Sequence, residues 1–248
     1  MFKALIFGGT TEGRELAVFC AENAISADIS VTTELGAQLL PKKSSVKILV
    51  GRLDHEGIKS LISQGEYTLI VDATHPFAQN ATENIRAACL DLNREYYRVI
   101  RENSDEIFGE YAENTDELIT LLNRTDKRIL STLGSKELQA LTQISDYENR
   151  VFLRVLNDRK IIEHCQKLGF KSSQIISGRG PFSEEENVAH IRQSGAEILV
   201  TKDSGKTGGY PEKIAAAKRC KIELITLKRP EESGISLSEI QKIMLEKR

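Results

Sequence analysis

Short apolar runs alternate with longer amphipathic segments along almost the whole chain. The segment Tyr67–Val71 is typical of the short runs, because its apolar residues do not alternate regularly with polar ones. Such runs are typical of parallel strands that are covered on both faces of a sheet. The pattern predicts strands at 2–7, 27–33, 46–50, 67–72 and 96–100, and again near 128–132, 151–155, 174–177, 197–201 and 222–226. It predicts helices at 12–24, 54–64, 78–93 and 115–123, and near 135–142, 158–168, 184–194, 210–219 and 236–246.

Two consecutive series of strands and helices, similar in length, predict an α/β protein with two doubly wound domains and mainly parallel sheets. The polar stretch 123–127 suits a boundary between them. We therefore expect domains at 1–126 and 127–248. The polar segment 101–114 is predicted to connect the first sheet to the helix at 115–123.

Composition describes a globular protein with a sizeable core: 248 residues, 40% hydrophobic and 28% charged. A net charge of −2 gives no reason to expect nucleic acid or an anionic membrane as a partner. No secretory signal or membrane-spanning run is evident, and the four widely spaced cysteines suit buried thiols, so a cytoplasmic location is expected. The four histidines have no metal-ligand spacing, and we expect no metal site.

A glycine-containing loop between the first strand and the first helix is the strongest local signal. Glycines let the backbone approach an anion, and the N–H groups of the following helical turn supply donors. Gly8 and Gly13 align with the outer glycines of the dinucleotide-binding pattern G-x-G-x-x-G, whereas Thr10 takes the middle position. With threonine at the middle position, either the pyrophosphate lies differently from its place in the standard motif, or the Thr10 and Thr11 hydroxyls donate hydrogen bonds to it. The alternative is that the loop is a tight turn that binds no ligand. The candidate cofactor-binding residues of this loop are Gly8, Gly9, Thr10, Thr11, Glu12 and Gly13.

Residues after the second and third strands bear on the choice of cofactor. An NAD site usually has an acid at the end of the second strand, about 20 residues after the glycines. Here Thr32 and Thr33 end that strand, and Arg52 follows the third. Hydroxyls and a cation tolerate a 2′-phosphate better than a carboxylate does, so we expect NADPH, with NADH as the alternative. Arg52 could instead be a solvated loop residue.

A histidine follows the fourth strand, at the sheet edge where ligands of open α/β sheets bind. His75 could donate a hydrogen bond to a substrate or supply a proton near neutral pH. The equally good alternative is a helix-start residue beside Pro76.

Three loops of the second half combine glycine with a cation or hydroxyl just before a helix. They are 131–136, 177–182 and 201–209. Such loops can hold carboxylate or phosphate groups, and together they predict a large anionic ligand. Short loops of this kind also favour Gly, Ser and Asp in general. That alternative explains poorly why Arg179, Lys202 and Lys206 occur together.

Several motifs, in order along both halves, resemble the precorrin-6A reductase family, which includes the cobalt-precorrin-6A reductases. They are Gly8–Arg14, Gly51–Asp54, Asp72–Ala78 (Asp-Ala-Thr-His-Pro-Phe-Ala), Gly178–Phe182 and Lys202–Gly205 (Lys-Asp-Ser-Gly). The resemblance implies two Rossmann-like domains with the active site between them. It also implies that a nicotinamide cofactor reduces a ring double bond of the precorrin-6A macrocycle, with or without cobalt.

The implied substrate is a tetrapyrrole with many carboxylates, which cations could orient by charge-assisted pairing. Lys202 and Asp203 are expected to position the substrate. Hydride transfer also needs a proton, and His75, Asp203 and water are the candidate sources, so the candidate catalytic residues are His75, Lys202 and Asp203. The candidate substrate-binding residues are Ser135, Lys136, Arg154, Gly178, Arg179, Gly180, Ser204 and Lys206.

Two other classes share some of these features. A short-chain dehydrogenase or epimerase needs a Tyr-x-x-x-Lys pair, and no tyrosine here has a lysine four positions later. A nucleotide sensor would have both domains without any chemistry. We expect a monomer, with a dimer as the alternative.

Overall fold

A computed structural model describes residues 2–100, 108–205 and 208–248 of the chain. It divides the chain into two compact α/β units. The first unit combines Met1–Glu102 with Pro230–Arg248, and the second is Asn103–Arg229. The predicted fold class, two Rossmann-like domains with parallel sheets, is confirmed.

The first unit contains a five-stranded parallel sheet. Its strands are β1 (Ala4–Phe7), β2 (Ala27–Val31), β3 (Val46–Val50), β4 (Leu69–Asp72) and β5 (Tyr96–Arg98). Their order across the sheet is β3-β2-β1-β4-β5. The helices between them are α1 (Thr11–Glu22), α2 (Glu34–Gln38), α3 (His55–Gln64) and α4 (Gln79–Asp91).

The second unit contains a six-stranded parallel sheet. Its strands are β6 (Glu110–Ala112), β7 (Ile129–Ser131), β8 (Val151–Val155), β9 (Ile175–Ser177), β10 (Ile198–Lys202) and β11 (Glu223–Leu227). Their order is β6-β11-β10-β7-β8-β9. The helices are α5 (Thr115–Leu122), α6 (Leu138–Leu141), α7 (Tyr147–Arg150), α8 (Arg159–Lys167), α9 (Glu184–Ser194) and α10 (Tyr210–Cys220), with 3-10 turns at Ser135–Glu137 and Ser172–Gln174.

The division of the chain differs from the predicted boundary between residues 126 and 127. That position lies inside the second unit, because β6 pairs with β11 and belongs to the second sheet. The chain then returns to the first unit, where the last helix, α11 (Leu237–Lys247), packs on the first sheet. Met244 of this helix is fully buried in the same apolar cluster as Leu16 of α1.

Both sheets follow one strand order. If the strands from β7 onward are numbered within their own sheet, each sheet has the order 3-2-1-4-5, which is the Rossmann order. In each sheet a further segment of chain pairs with the fifth strand, or with the residue directly after it, on its outer side. In the second sheet this segment is β6, and in the first sheet Ile235 forms a parallel bridge with Val99. The segment 101–114, predicted as a connection, therefore contains β6.

Apolar residues on the two faces of the first sheet pack against different helices. On one face, Ile6 and Val71 pack with α1 and α11. On the other face, Leu5 and Ile70 pack with α3 and α4. Burial on both faces explains why the strands are continuous apolar runs. Within 2–100, 108–205 and 208–248, no helix is both long enough and apolar enough to cross a membrane.

Candidate active site

The loop between β1 and α1 has the geometry of a phosphate-binding turn. Thr10 caps α1, because its Oγ1 accepts a hydrogen bond from the Gly13 N–H at 3.1 Å. A Cβ on Gly13 would lie only 2.8 Å from the Gly8 Cα. The close approach of helix and strand therefore requires glycine at position 13, which is the role of the third glycine in dinucleotide-binding loops.

The other two glycines of this loop leave backbone open at the beginning of α1. A Cβ on Gly8 would make only ordinary contacts, at 3.5 Å from Ile29 Cγ2 and 3.7 Å from Val31 Cγ1. Packing within the protein therefore does not require glycine there. Gly9 has a φ of +104°, and nothing lies within 4 Å of its Cβ position. This open backbone beside helical N–H groups fits the pyrophosphate of a dinucleotide.

The hydroxyl of Thr10 also joins the first loop to the loop after β4. It donates to the Ala73 carbonyl at 2.7 Å, so its hydrogen is already used within the protein. Thr11 and Glu12 form the first turn of α1. The predicted use of the Thr10 and Thr11 hydroxyls for phosphate binding stays a prediction, but at Thr10 the structure shows capping and loop attachment.

The remaining cofactor candidates lie after the two strands beside β1. Thr32 is exposed, and Thr33 caps α2 by accepting from the Gly36 N–H at 3.1 Å. The Arg52 side chain is exposed directly after β3. Because β3, β2 and β1 are parallel neighbours, these residues and the first loop lie at the same edge of the sheet.

A buried ion network holds the loop that carries His75. The Arg98 guanidinium, on β5, donates to Asp72 Oδ1 at 2.9 Å and to Glu232 Oε1 at 2.6 Å. It also donates to the Thr74 carbonyl at 2.9 Å. Arg98 is 5% exposed and Asp72 is fully buried, so solvent screens these contacts weakly. Arg98 thereby fixes the first residues after β4 to its own strand.

His75 is exposed, and its ring is oriented by the next turn of the chain. Its Nδ1 accepts a hydrogen bond from the Phe77 N–H at 3.2 Å, so in the neutral ring the proton is on Nε2. The alternative interpretation of His75 as a helix-start residue is wrong, because α4 begins at Gln79. Its position after β4 matches the predicted one.

In the second unit, the loop after β10 is held by its charged residues. Lys202 Nζ lies 2.9 Å from Glu137 Oε1, which joins this loop to the one after β7. Asp203 Oδ1 accepts from the Gly205 N–H at 3.1 Å and from Arg229 Nη2 at 3.2 Å. The Ser204 hydroxyl donates to the Gly208 carbonyl at 2.9 Å. The structure therefore places Lys202 at the end of β10, and Asp203 and Ser204 in the loop that follows it.

Most of the other substrate candidates lie in the loops after β7 and β9. Ser135 and Lys136 are exposed after β7, and Arg179 and Gly180 are exposed after β9, with Gly178 half-buried. Lys206 lies outside the described residues.

Arg154 is a different case, because it is only 6% exposed. Its Nη1 donates to Asn187 Oδ1 at 2.6 Å, and the ring centroid of Phe182 lies 4.2 Å from its guanidinium carbon. Burial lowers the pKa of Arg154 to about 10. Direct contact of Arg154 with substrate stays a prediction; the structure shows it beneath Phe182.

Sequence reasoning missed several polar residues that hold these loops. Arg98 and Glu232 are 134 positions apart, and Glu137 and Lys202 are 65 apart. The one local signal was a charged residue inside an apolar strand, at Arg98. Across 2–100, 108–205 and 208–248 no group of three or more His, Cys, Asp or Glu side chains could hold a metal ion.

Two parallel sheets in Rossmann order, with a glycine turn after the first strand, define a two-domain α/β protein of the dinucleotide-binding class. Residues 3–245 match the family profile described as precorrin-6x reductase CbiJ/CobK. The chain belongs to this family, which confirms the resemblance found in its motifs.

Relatives agree with this assignment, and a solved structure has the same fold. The cobalt-precorrin-6A reductase of Methanothermobacter thermautotrophicus is 33% identical, over 92% of this chain and 76% of that protein. The cobalt-precorrin-6A reductase of Priestia megaterium is 31% identical, over 97% of this chain and 96% of that protein. The solved structure of CobK precorrin-6A reductase, 20% identical, has a TM-score of 0.80 over 99% of this chain and 97% of that chain, and shows the same fold.

The predicted activity is confirmed with the family. The chain is an oxidoreductase of cobalamin biosynthesis. It uses a nicotinamide cofactor to reduce a double bond in the ring of a precorrin-6A macrocycle. The two alternative classes, a short-chain dehydrogenase or epimerase and a nucleotide sensor, are therefore set aside.

The Arg98 network predicts a large loss of stability on breaking it. Arg98→Met leaves the fully buried Asp72 without its counter-charge, and we expect the free energy of unfolding to fall by about 3–5 kcal/mol. Urea-induced unfolding measures this loss. The double variant Arg98→Met, Asp72→Asn removes both charges and should lose less than Arg98→Met alone; a loss equal to the sum of the single variants would contradict the pairing.

Proposed function

We propose that this protein is the NADPH-dependent reductase of cobalt-precorrin-6A. The observation that carries the proposal is the match of the family profile across residues 3–245. The choice of the cobalt form is supported by relatives: the proteins at 33% and 31% identity are named cobalt-precorrin-6A reductases. The relative from Sinorhizobium sp named precorrin-6A reductase is 28% identical.

In this proposal the first unit holds the cofactor. Gly8, Gly9 and the N–H groups from Thr10 to Gly13 bind the pyrophosphate, because they combine open backbone with the positive end of α1. Glu12 is an acceptor and suits ribose hydroxyls. Thr32, Thr33 and the exposed Arg52 bind the 2′-phosphate that distinguishes NADPH from NADH. The cofactor, when bound, supplies the hydride; the protein supplies position and charge.

The second unit is proposed to bind the carboxylates of the macrocycle. Lys202 does so from the end of β10, where Glu137 holds its ammonium group. Asp203 and Ser204 lie in the same turn and orient the substrate by hydrogen bonding. The further proposed contacts are Ser135, Lys136, Arg154, Gly178, Arg179, Gly180 and Lys206.

The proton that accompanies the hydride has three candidate sources: His75, Asp203 and water. The Nε2 atom of neutral His75 is a donor, since Nδ1 accepts from Phe77. Asp203 accepts two hydrogen bonds, from Gly205 and Arg229, so its Oδ1 is used as an acceptor. His75 is therefore a candidate source whose ring is oriented by the protein, and Asp203 and water are the alternatives.

We further propose that the protein works as a monomer in the cytoplasm. The support for a reducing compartment is that all four cysteines are free, with Cys20, Cys89 and Cys165 buried. Light scattering on the purified protein would show a dimer if the proposed monomer is incorrect.

Cofactor and substrate preference can be tested in one set of assays. We expect kcat/KM to be higher with NADPH than with NADH, and higher with cobalt-precorrin-6A than with precorrin-6A. Arg52→Ala should raise the KM for NADPH about 10- to 100-fold, as expected for a lost charge-assisted hydrogen bond, and leave that for NADH nearly unchanged.

A matched control is Arg94→Ala, which removes an exposed arginine that precedes β5 and therefore lies at the opposite edge of the same sheet. It should change neither KM. An equal effect of Arg52→Ala on both cofactors would contradict the 2′-phosphate assignment.

Lys202→Ala tests the substrate site. Loss of an ammonium that pairs with a carboxylate should lower kcat/KM for the macrocycle about 10- to 100-fold and leave the KM for NADPH unchanged. Initial-rate kinetics, with each substrate varied in turn, measure both constants. Glu137→Gln is the control: it removes the ion pair but keeps the lysine, so its effect should be smaller. Unchanged KM and turnover in Lys202→Ala would refute the assignment.

A further inference from the structure

The side chain of Lys213, on α10, is a buried cation. It is 9% exposed, and among the residues that the structure describes no carboxylate lies within ion-pair distance of its ammonium group. Arg98, by contrast, is buried together with Asp72 and Glu232. A buried charge without a partner is costly and is usually avoided. The hydrogen bond that Lys213 makes with the described residues therefore indicates its role in the fold.

That contact is to the loop after β10. Lys213 Nζ donates to the Gly208 carbonyl at 3.4 Å, and the same oxygen accepts from the Ser204 hydroxyl at 2.9 Å. The Gly208 N–H in turn donates to the Gly205 carbonyl at 3.1 Å. Gly208 is thus the point where the far end of the loop is attached to its first residues and to α10.

The near end of the loop has a separate attachment. The Asp203 N–H donates to the Leu227 carbonyl of β11 at 3.0 Å, and its carboxylate accepts from Arg229 at 3.2 Å. The residues after β10 are therefore held from two sides, by β11 near Asp203 and by α10 near Gly208. Only the second attachment depends on Lys213.

We propose that Lys213 is a positioning residue for the reductase reaction: by holding the Gly208 carbonyl together with Ser204, it keeps Lys202, Asp203 and Ser204 in the arrangement that binds the macrocycle. This inference rests on the proposed substrate role of those three residues. Lys213 itself acts through Gly208, not by touching substrate.

The charged groups around Lys213 favour its neutral form. Burial, and the Arg154 cation on β8, lower the pKa of Lys213 to about 7, while Glu212 on α10 acts in the opposite direction. From α9, His190 and Glu186 face the same Arg154. In the unfolded chain the pKa returns toward 10.5, so burial of the charge costs stability fully below about pH 7 and progressively less up to 10.5.

The decisive variant is Lys213→Met, which keeps the length of the side chain and removes the donor. The control is Lys218→Met, an exposed lysine on the same helix. We expect hydrogen exchange at the Gly208 amide to become about tenfold faster in Lys213→Met, and kcat/KM for the macrocycle to fall about tenfold, with the KM for NADPH unchanged. Lys218→Met should change none of these.

Stability separates positioning from ordinary packing. Because a costly buried charge is removed, Lys213→Met should have a Tm at pH 6 equal to or above that of the unaltered protein, and this advantage should shrink at pH 9. A falling Tm with faster exchange throughout the second unit would assign Lys213 to packing and overturn the proposal. Unchanged exchange at Gly208 would overturn it as well.

The same measurements distinguish this inference from the proposed function. Exchange at Gly208 does not need the substrate. If it rises locally while Lys202→Ala leaves the kinetics unchanged, Lys213 holds the loop but the loop does not bind the macrocycle. In that case the substrate assignment fails, and with it the catalytic part of the proposal.

Discussion

Burial of the strands on both faces is the constraint on which the rest of the structure depends. All four residues of β1 are buried, and neighbouring residues pack on opposite apolar clusters. Such strands have no free face for polar side chains, so the chemistry is confined to the loops at their carboxyl ends. Parallel pairing then places those loops side by side, as with the loop after β1 and the loop after β4, which the Thr10 hydroxyl joins.

Arg98 and Lys213 are buried cations that each contact a loop, and they differ in how burial of the charge is compensated. Arg98 has two carboxylates and the Thr74 carbonyl, so its charge is balanced where it is buried. Among the residues that the structure describes, the Lys213 ammonium group has one hydrogen-bond acceptor, the Gly208 carbonyl. A buried charge that is paired with carboxylates, as at Arg98, holds its loop with only a modest net loss of folding free energy. A buried charge without a carboxylate partner, as at Lys213, lowers the stability of the fold. We expect such a charge only where its contact matters for function.

The elements could be predicted wherever local pattern decides them. The predicted strand at 46–50 and helix at 184–194 agree with β3 and α9 residue for residue, because an apolar run and an apolar stripe at helical spacing are local features. β6 was missed because it is three residues long and exists through its pairing with β11, more than a hundred positions later. The boundary between the domains was misplaced for the same reason, since the segment before residue 126 joins the second sheet.

Candidate residues could be predicted by position but not by contact. The loops after β1, β4 and β10 were found because glycines and charges follow apolar runs. The pairing of Arg98 with Glu232 brings together residues 134 positions apart, and nothing local indicates it. The burial of Arg154 beneath Phe182 likewise depends on packing between β8 and the loop after β9.

This chain transfers a hydride from a nicotinamide cofactor to a ring carbon of the precorrin macrocycle. The most direct measurement is mass spectrometry of the macrocyclic product formed with NADPH deuterated at the transferable position. We predict that each product molecule gains one deuterium from the cofactor and its second hydrogen from the solvent. A product whose two new hydrogens both come from the solvent would contradict the claim.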